Sequence, residues 1–305
     1  MRKMPIPLIV LLVLFLVPLS GCSDARDQSA SAPGSASPSP SVSAESKPVT
    51  TPAPTPDSAS SPEPAPSPEP APETPTEETQ LSHAYHEKVP ILMYHEVNDL
   101  LANSLYLSVE DFTAHLNYFE QAGITPISLQ QLYDHWFHDA PLPEKPIVLT
   151  FDDGYRSMYT TVYPLLKERG WSGTFFCITN ARWSDNYLLS DMIAEMAANG
   201  MEIGSHTVSH LEQNALSSEQ LEKELSESRK ILSSITGKDV NMLCYPAGRY
   251  HDEAKTATEE NGYLLAVTTS NGFAVKSQGA FELKRIRISL GCGAAWLKSA
   301  LAPLG

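Results

Sequence analysis

Short apolar runs alternate with helical patterns along the chain from residue 89 to residue 288. The run 145–151, KPIVLTF, is apolar without alternation, which is typical of a strand that is buried on both faces. The segment 217–237 is predicted to be a helix, because Ser217 and Gln220 form a capping box and Gly237 can end it. The same patterns predict further strands at 89–97, 173–179, 201–207, 240–246, 263–269 and 281–288, and further helices at 157–170, at 190–200 with Ser190 as its N-cap, and at 251–260.

The order of these elements predicts the class of fold. Strands that alternate with helices pair in parallel, because each helix returns the chain to the same end of the sheet. The number of units is enough for an α/β domain built as a distorted, incomplete (β/α) barrel. In such barrels the reactive side chains gather at the carboxyl ends of the strands. The residues that directly follow each predicted strand are therefore the candidates for a functional site.

The N-terminal residues are predicted to be a targeting segment. Arg2 and Lys3 precede an apolar block at 6–19, which is shorter than the about 20 residues that cross a bilayer. The block ends in Leu-Ser-Gly-Cys, which resembles the bacterial lipobox, in which the cysteine becomes the lipidated first residue of the mature protein. We expect a lipoprotein signal peptide at 1–21 and lipidation at Cys22, with an ordinary signal peptide as the alternative.

Residues 22–84 have the composition of a tether. Fourteen of the 25 prolines fall between Pro33 and Pro75, and large apolar side chains are almost absent, so no core can form there. Proline at this density favours extended conformations and makes a spacer semi-rigid. A proline-rich docking ligand is the alternative. We expect a disordered tether that holds one domain, residues 85–305, away from a membrane.

Charge and cysteine content narrow the class of protein. The formal net charge is −15, and only nine acidic and two basic residues lie between residues 23 and 80, so the domain itself is acidic. Nucleic-acid binding demands basic surfaces and is therefore not expected. Three of the four cysteines lie in the domain, and this odd number argues against a disulfide framework. We expect the protein to be a monomer.

Four predicted strands end in residues that could hold a metal or move a proton. They are Asp152 and Asp153, His206 with His210 four residues on, the turn Pro246-Ala247-Gly248, and His95. A lone Asp-Asp-Gly is more often a turn, and a lone His-x-x-x-His is more often a pair of surface histidines. Together, at strand ends that meet on one rim, they favour a site for a divalent ion, because one carboxylate and two imidazoles leave positions open for water and substrate.

Three segments resemble the motifs of a known family. TFDDG at 150–154, SHTVSH at 205–210 and YPAG at 245–248 are similar to the first three motifs of the polysaccharide deacetylases, carbohydrate esterase family 4. The resemblance implies that Asp153, His206 and His210 bind a divalent metal, with zinc expected and cobalt or nickel as alternatives. It also implies that Asp152 is the general base that takes a proton from the attacking water.

The third motif departs from the family pattern. It usually reads Arg-x-Pro-Tyr-Gly, but the sequence here has Cys244-Tyr245-Pro246-Ala247-Gly248, so the arginine that orients the base is missing. Arg285 or Arg287, on another predicted strand, could supply that charge, and we place Arg285 in the catalytic set as a hypothesis.

The rest of that motif is assigned to substrate contacts. A backbone N–H near Ala247 is expected to stabilise the oxyanion, with Tyr245 and Pro246 as further substrate-binding residues. Tyr94, Tyr155 and Tyr245 could line a sugar groove, and core packing explains any one of them equally well.

The last motif of the family, Leu-x-His, has no counterpart near the C-terminus, since no histidine follows residue 288. The segment ILMYH at 91–95 offers a similar ending at the opposite end of the domain. This arrangement resembles the circularly permuted members, which deacetylate biofilm poly-β-1,6-N-acetylglucosamine. His95 would then be the general acid that protonates the departing amine, and a structural histidine at a strand end is the alternative.

These observations predict an extracytoplasmic enzyme that is anchored to a bacterial membrane through Cys22. The expected activity is metal-dependent removal of N-acetyl groups from an amino-sugar polysaccharide. One alternative is an O-acetyl esterase acting on xylan or peptidoglycan, because the same chemistry cleaves esters. A second alternative is a glycan-binding protein with a degraded site.

Overall fold

The computed structural model describes residues 84–100 and 103–304, which lie within one unit of the chain, Glu69–Gly305. The predicted signal peptide, the lipidation site Cys22 and all but the last residue of the predicted tether lie outside the described residues.

The strands, in chain order, are β1 (Ile91–Tyr94), β2 (Glu96–Val97), β3 (Tyr106–Leu107), β4 (Thr125–Ile127), β5 (Pro146–Phe151), β6 (Thr174–Cys177), β7 (Glu202–Ser205), β8 (Met242–Cys244), β9 (Leu265–Asn271) and β10 (Leu283–Arg287). The pair β2–β3 forms a small parallel ribbon of its own.

The other eight strands form one parallel sheet that closes on itself. Its order is β1-β10-β9-β8-β7-β6-β5-β4, and β1 also pairs with β5 from Ile91↔Val148 to Tyr94↔Phe151. Within the described residues the ring therefore contains seven strands, and β4 lies beside the first half of β5. The expectation of an incomplete (β/α) barrel is confirmed, because a full barrel of this kind has eight strands in its ring.

After a short helical segment at 84–87, the helices are α1 (Val109–Ala122), α2 (Leu129–His138), α3 (Tyr163–Glu168), α4 (Ser190–Ala198), α5 (Ser218–Thr236), α6 (Asp252–Glu260) and α7 (Ala294–Leu301). A π-helical turn, Met158–Val162, precedes α3, and 3₁₀ turns occupy Thr179–Trp183, Gln213–Ala215, Pro246–Gly248, Lys276–Gln278 and Ala302–Leu304. None of the helices in the described ranges has the length and apolar character needed to span a bilayer.

Most predicted elements are present within a few residues of their expected bounds, and the differences have local causes. The predicted N-cap Ser190 is wrong, because Leu189 occupies the cap position and no side chain caps this helix. The helices α1, α2 and α7 were not predicted, although α2 carries a capping box made by Ser128 and Gln131. Each of these helices flanks a short strand or follows the last strand. The alternation of longer strands with helices, on which the prediction rests, does not indicate a helix at such places.

The inside of the barrel changes from apolar to polar along the strands. The apolar part is a buried cluster made by strand residues such as Val148, Met242 and Leu283, and α2 packs against it through Leu132 and other residues. At the carboxyl ends the inward-facing residues are polar, as in the ion pair of Arg285 with Asp152, which directly follows β5. This polarity places the candidate site at the carboxyl ends of the strands.

A second and larger cluster fills the space between the barrel and its helices. Phe151 stacks between Tyr94 and Phe175, with ring centroids 5.1 Å and 4.8 Å apart, and Phe112 of α1 packs edge-on at 5.9 Å. Because these rings come from three adjacent strands, they fix the relative heights of the ends of β1, β5 and β6. The candidate site begins with the residues that directly follow β1 and β5.

Removal of the α5 cap is expected to destabilise the domain. The side chain of Ser217 accepts from the backbone N–H of Gln220, whose side chain bonds back to the cap. Ser217→Ala should lower the free energy of unfolding by about 1 kcal/mol. Ser234→Ala, an exposed change in the same helix, is the matched control and should not lower it. Urea titrations compare the variants, and equal midpoints would contradict the capping role.

Candidate active site

The two adjacent acids after β5 reach one site because the backbone turns at the second of them. Along β5 the side chains of Val148 and Thr150 face the inside of the barrel, and Asp152 continues that alternation. Asp153 would face outward on a regular strand, but its φ of 74° lies in the left-handed region and redirects the chain. Gly154 follows at φ 75°, where a Cβ would lie 3.4 Å from the backbone at the end of β6.

Asp153 lies between the two histidines that follow β7. Its Oδ1 is 3.4 Å from Nε2 of His206 and 3.4 Å from Nε2 of His210, and the imidazole centroids are 4.7 Å apart. Ligand atoms of a tetrahedral site with bonds of about 2.1 Å are also separated by about 3.4 Å. One carboxylate oxygen and two imidazole nitrogens therefore fit a divalent ion, and this group is a possible metal site.

The loop that carries the histidines is strained and held by polar contacts. Thr207 and His210 have φ of 65° and 57°, which is costly for residues with a Cβ. The carboxylate of Glu224, from α5, accepts two backbone N–H groups of this loop at 2.9 Å and 2.8 Å. Nδ1 of His206 is 2.7 Å from the carbonyl oxygen of Cys244, so Nε2 is left to face Asp153.

Asp152 forms a buried ion pair with Arg285. Nη1 of Arg285 is 2.7 Å from Oδ1, Nη2 is 2.7 Å from Oδ2, and the guanidinium is fully buried. Arg285 also donates to Oγ1 of Thr150 at 2.9 Å and to the carbonyl oxygen of Thr268 at 2.8 Å. Of the two arginines considered from the sequence, Arg285 is therefore the one that supplies a guanidinium to Asp152.

Both acids are held in the ionised form. Burial alone would raise the pKa of Asp152, but the charge and hydrogen bonds of Arg285 outweigh it and lower the pKa. Burial also opposes the charge on Asp153, and the hydrogen bonds of His206 and His210 hold the pKa of Asp153 well below its usual range. Both carboxylates are therefore ionised at neutral pH, which is the form that a proton acceptor or a cation ligand requires.

His95 directly follows β1 and lies close to the ion pair. Its Nε2 is 3.9 Å from Oδ2 of Asp152, and its side chain is 11% exposed. Its Nδ1 is buried and has no hydrogen-bond partner among the described residues. Burial lowers the pKa of His95, against the opposing charges of Asp152 and Asp153, so a proton placed on this imidazole is readily given up.

The third motif forms a tight turn after β8. Ala247 has a φ of 52°, and no described residue accepts a hydrogen bond from its backbone N–H. Gly248 has a φ of 67°, and a Cβ there would lie 2.7 Å from the backbone nitrogen of Thr269. The turn therefore requires glycine at 248, and it leaves the N–H of Ala247 as a donor for a bound group.

The expectation that Tyr245 contacts substrate is corrected by the structure. Its side chain is fully buried, stacks on Tyr250 at 4.6 Å and donates to Oγ1 of Thr258 at 3.3 Å. Pro246 is also buried, so it shapes the turn and offers no open surface. Tyr94 is likewise in the core. Residue 245 faces outward because its neighbour at 244 faces into the barrel.

Tyr155 is the remaining aromatic candidate for the rim. It is partly buried and stacks on Tyr187, with ring centroids 5.3 Å apart. The segment around Tyr187 is paired with the chain after Asp153 through a bridge between the two tyrosines. Tyr187 and Glu224 were not predicted, because nothing in their local sequence shows which strand end they approach.

A second group of potential ligands contains Asp152, His206 and Cys244. Both carboxylate oxygens of Asp152 already accept from Arg285, and Nδ1 of His206 is bonded to a carbonyl oxygen. The group containing Asp153 is therefore the better candidate for a metal.

Comparisons with known proteins point to one family. A family model described as polysaccharide deacetylase matches residues 139–266. "Putative polysaccharide deacetylase YxkH" of Bacillus subtilis (strain 168) is 35% identical over 204 residues, which cover 67% of this chain and 72% of that protein. The poly-β-1,6-N-acetyl-D-glucosamine N-deacetylase of Escherichia coli (strain K12) is 35% identical over 88 residues, 28% of this chain and only 13% of that protein.

A solved structure shares the fold. The Streptococcus pyogenes deacetylase PplD in complex with acetate superposes with a TM-score of 0.67 at 28% identity, and the alignment covers 70% of this chain and 97% of that chain. Together with the relative from Bacillus subtilis, this likeness assigns the fold to one family. The chain belongs to the polysaccharide deacetylase family.

Proposed function

We propose that this protein is a metal-dependent hydrolase that removes N-acetyl groups from a polysaccharide containing N-acetylglucosamine. The observation that carries the proposal is the convergence of three parts on one rim of the barrel. These parts are the group Asp153, His206 and His210, the buried ion pair of Asp152 with Arg285, and the imidazole of His95.

Asp153, His206 and His210 would hold the metal, most simply zinc, with cobalt or nickel as alternatives. A divalent ion in this position polarises an acetyl carbonyl and lowers the pKa of a water molecule. The N–H of Ala247, in the turn after β8, would donate to the oxyanion that develops on the carbonyl oxygen.

Asp152 and His95 would move the protons. Asp152 stays ionised beside Arg285 and accepts a proton from the attacking water. His95, on the other side of Oδ2, donates a proton to the nitrogen that leaves as a free amine. Arg285 is a positioning residue, because its two hydrogen bonds fix the plane of the Asp152 carboxylate.

The choice of an amino-sugar polymer has two kinds of support. The Escherichia coli relative is named for N-deacetylation of poly-β-1,6-N-acetyl-D-glucosamine, although it matches over only 88 residues. In addition, a proton donor such as His95 is needed more for an amine, which is a poor leaving group, than for an alcohol.

We further propose that the enzyme works outside the cytoplasm, anchored through a lipid on Cys22. The support is the sequence of the first 84 residues, with an apolar block, a Leu-Ser-Gly-Cys ending and a proline-rich spacer.

The activity test measures acetate released by the full metal-loaded protein. We expect the unchanged protein to release acetate from N-acetylglucosamine oligomers and the Asp152→Asn variant to release none. Release from O-acetylated xylan alone would replace the proposal with an esterase. Glycan binding without any release would favour a binding protein.

Metal binding and chemistry should separate at the adjacent acids. Asp153→Ala is expected to lose the bound metal, because it removes the only carboxylate ligand of the possible metal site. Asp152→Asn should retain the metal and lose turnover, since Asp152 contacts Arg285 instead. Metal content after gel filtration and isothermal titration provide the measurement. Equal metal content in the two variants would refute this division of roles.

The role of His95 has its own test. His95→Ala should lower kcat on N-acetylglucosamine oligomers by about 10²-fold or more, the usual effect of losing a proton-transfer group. The metal content should not change, because His95 is outside the group of possible ligands. Near-normal turnover would show that His95 is structural.

A further inference from the structure

Cys244 contacts both halves of the site, although its thiol is neither among the proposed metal ligands nor among the proposed proton-transfer groups. Its side chain is fully buried at the end of β8. Its Sγ is 3.6 Å from Oδ2 of Asp152 and 3.2 Å from Nη2 of Arg285. Its carbonyl oxygen is the one that holds Nδ1 of His206, at 2.7 Å.

The three side chains close a triangle of hydrogen bonds. Nη2 of Arg285 donates to Oδ2 of Asp152 at 2.7 Å and also faces the sulfur of Cys244. The thiol can accept this N–H and donate its own S–H to Oδ2, because a cysteine is both a weak donor and a weak acceptor. An alkyl side chain of similar size could fill the same space but could make neither bond.

The corner of the triangle at Oδ2 lies near the proposed general acid. Nε2 of His95 lies 3.9 Å from this oxygen. A rotation of the Asp152 carboxylate about its own axis would change this distance and the direction in which the base accepts a proton. Arg285 resists the rotation from one side and the thiol from another, so the orientation of the carboxylate is over-determined.

We propose that Cys244 is a positioning residue, whose thiol holds the Asp152–Arg285 ion pair in the orientation from which Asp152 accepts a proton. The proposal rests on the proposed function for its kinetic consequence and on the contacts of Sγ for its structural one. The competing explanation is that Cys244 is a small apolar residue that fills the barrel, as buried cysteines often do. Its neighbours in the apolar cluster, such as Met242, make that alternative concrete.

Two substitutions distinguish positioning from filling. Cys244→Ser keeps a donor and an acceptor in a smaller side chain, whereas Cys244→Val fills the space with a somewhat larger alkyl group and removes both. We expect Cys244→Ser to retain kcat within about threefold and Cys244→Val to lower kcat about tenfold, the effect of weakened hydrogen bonds to a charged group. The KM and the metal content should stay unchanged, because the carbonyl that holds His206 belongs to the backbone.

The reverse ranking would overturn the proposal. If Cys244→Val keeps the kcat of the unchanged protein while Cys244→Ser loses it, the thiol only fills space. Should the valine variant lose metal or unfold, Cys244→Ala takes its place, because alanine fits the space and also lacks the hydrogen bonds. A kcat equal to that of the unchanged protein in the alanine variant would likewise refute positioning.

A spectroscopic measurement keeps this inference separate from the proposed reaction. The infrared S–H stretch of Cys244 is obtained by subtracting the spectrum of the Cys244→Ser variant. We expect a lower S–H frequency in the unchanged protein than in Asp152→Asn, because the ionised carboxylate is the stronger acceptor. Equal frequencies would show that the thiol does not donate to Asp152. This result stands even if no glycan is deacetylated, so it distinguishes failure of the positioning role from failure of the proposed function.

Discussion

The buried ion pair between Asp152 and Arg285 is the interaction on which the rest of the site depends. An ionised carboxylate inside a barrel costs several kcal/mol of lost hydration, and only a well-placed counter-charge offsets that cost. Arg285 meets it with two hydrogen bonds of 2.7 Å. Asp152 follows β5 and Arg285 is in β10, and β1 lies between these two strands. The ion pair therefore crosses the end of β1, which His95 directly follows. One electrostatic contact therefore fixes three neighbouring strand ends relative to one another.

The two adjacent carboxylates have different surroundings, which suit them to the two different functions proposed for them. Asp152 faces a fixed guanidinium and cannot easily release it to bind a metal. Asp153 faces two imidazole nitrogens whose own orientations are fixed by backbone contacts. The barrel thus gives the proposed base and the proposed metal ligand separate positions, although the two residues are adjacent in the chain.

Much of this arrangement could be read from the sequence, because its signals are local. The apolar run before Asp152 and the glycine after Asp153 predict a strand and the turn that ends it. The third motif lacks its usual arginine, which predicts that another residue supplies the charge beside Asp152. Arg285 makes that contact. The substrate contact expected of Tyr245 is not predictable from the motif, because the motif does not show which of its side chains are buried outside the barrel wall.

The unpredicted parts depend on contacts between distant segments. Glu224 approaches the histidine loop only after α5 packs on the barrel, and no local pattern indicates this. The helices α1 and α7 pack on each other and on the outer cluster, so their stability comes from tertiary contacts more than from their own sequence.

Left-handed backbone at residues with a Cβ has a consequence for the evolution of this domain. Among the residues that the structure describes, four of the five in this conformation, Asp153, Thr207, His210 and Ala247, belong to the rim that carries the candidate site. Each would be relieved of strain by glycine, and at Asp153 or His210 that exchange would also delete an atom of the possible metal site. At Asp153 and His210, selection for stability and selection for the proposed activity therefore favour different residues. The rim is where an unused copy of this domain would lose its site first, while its barrel became more stable.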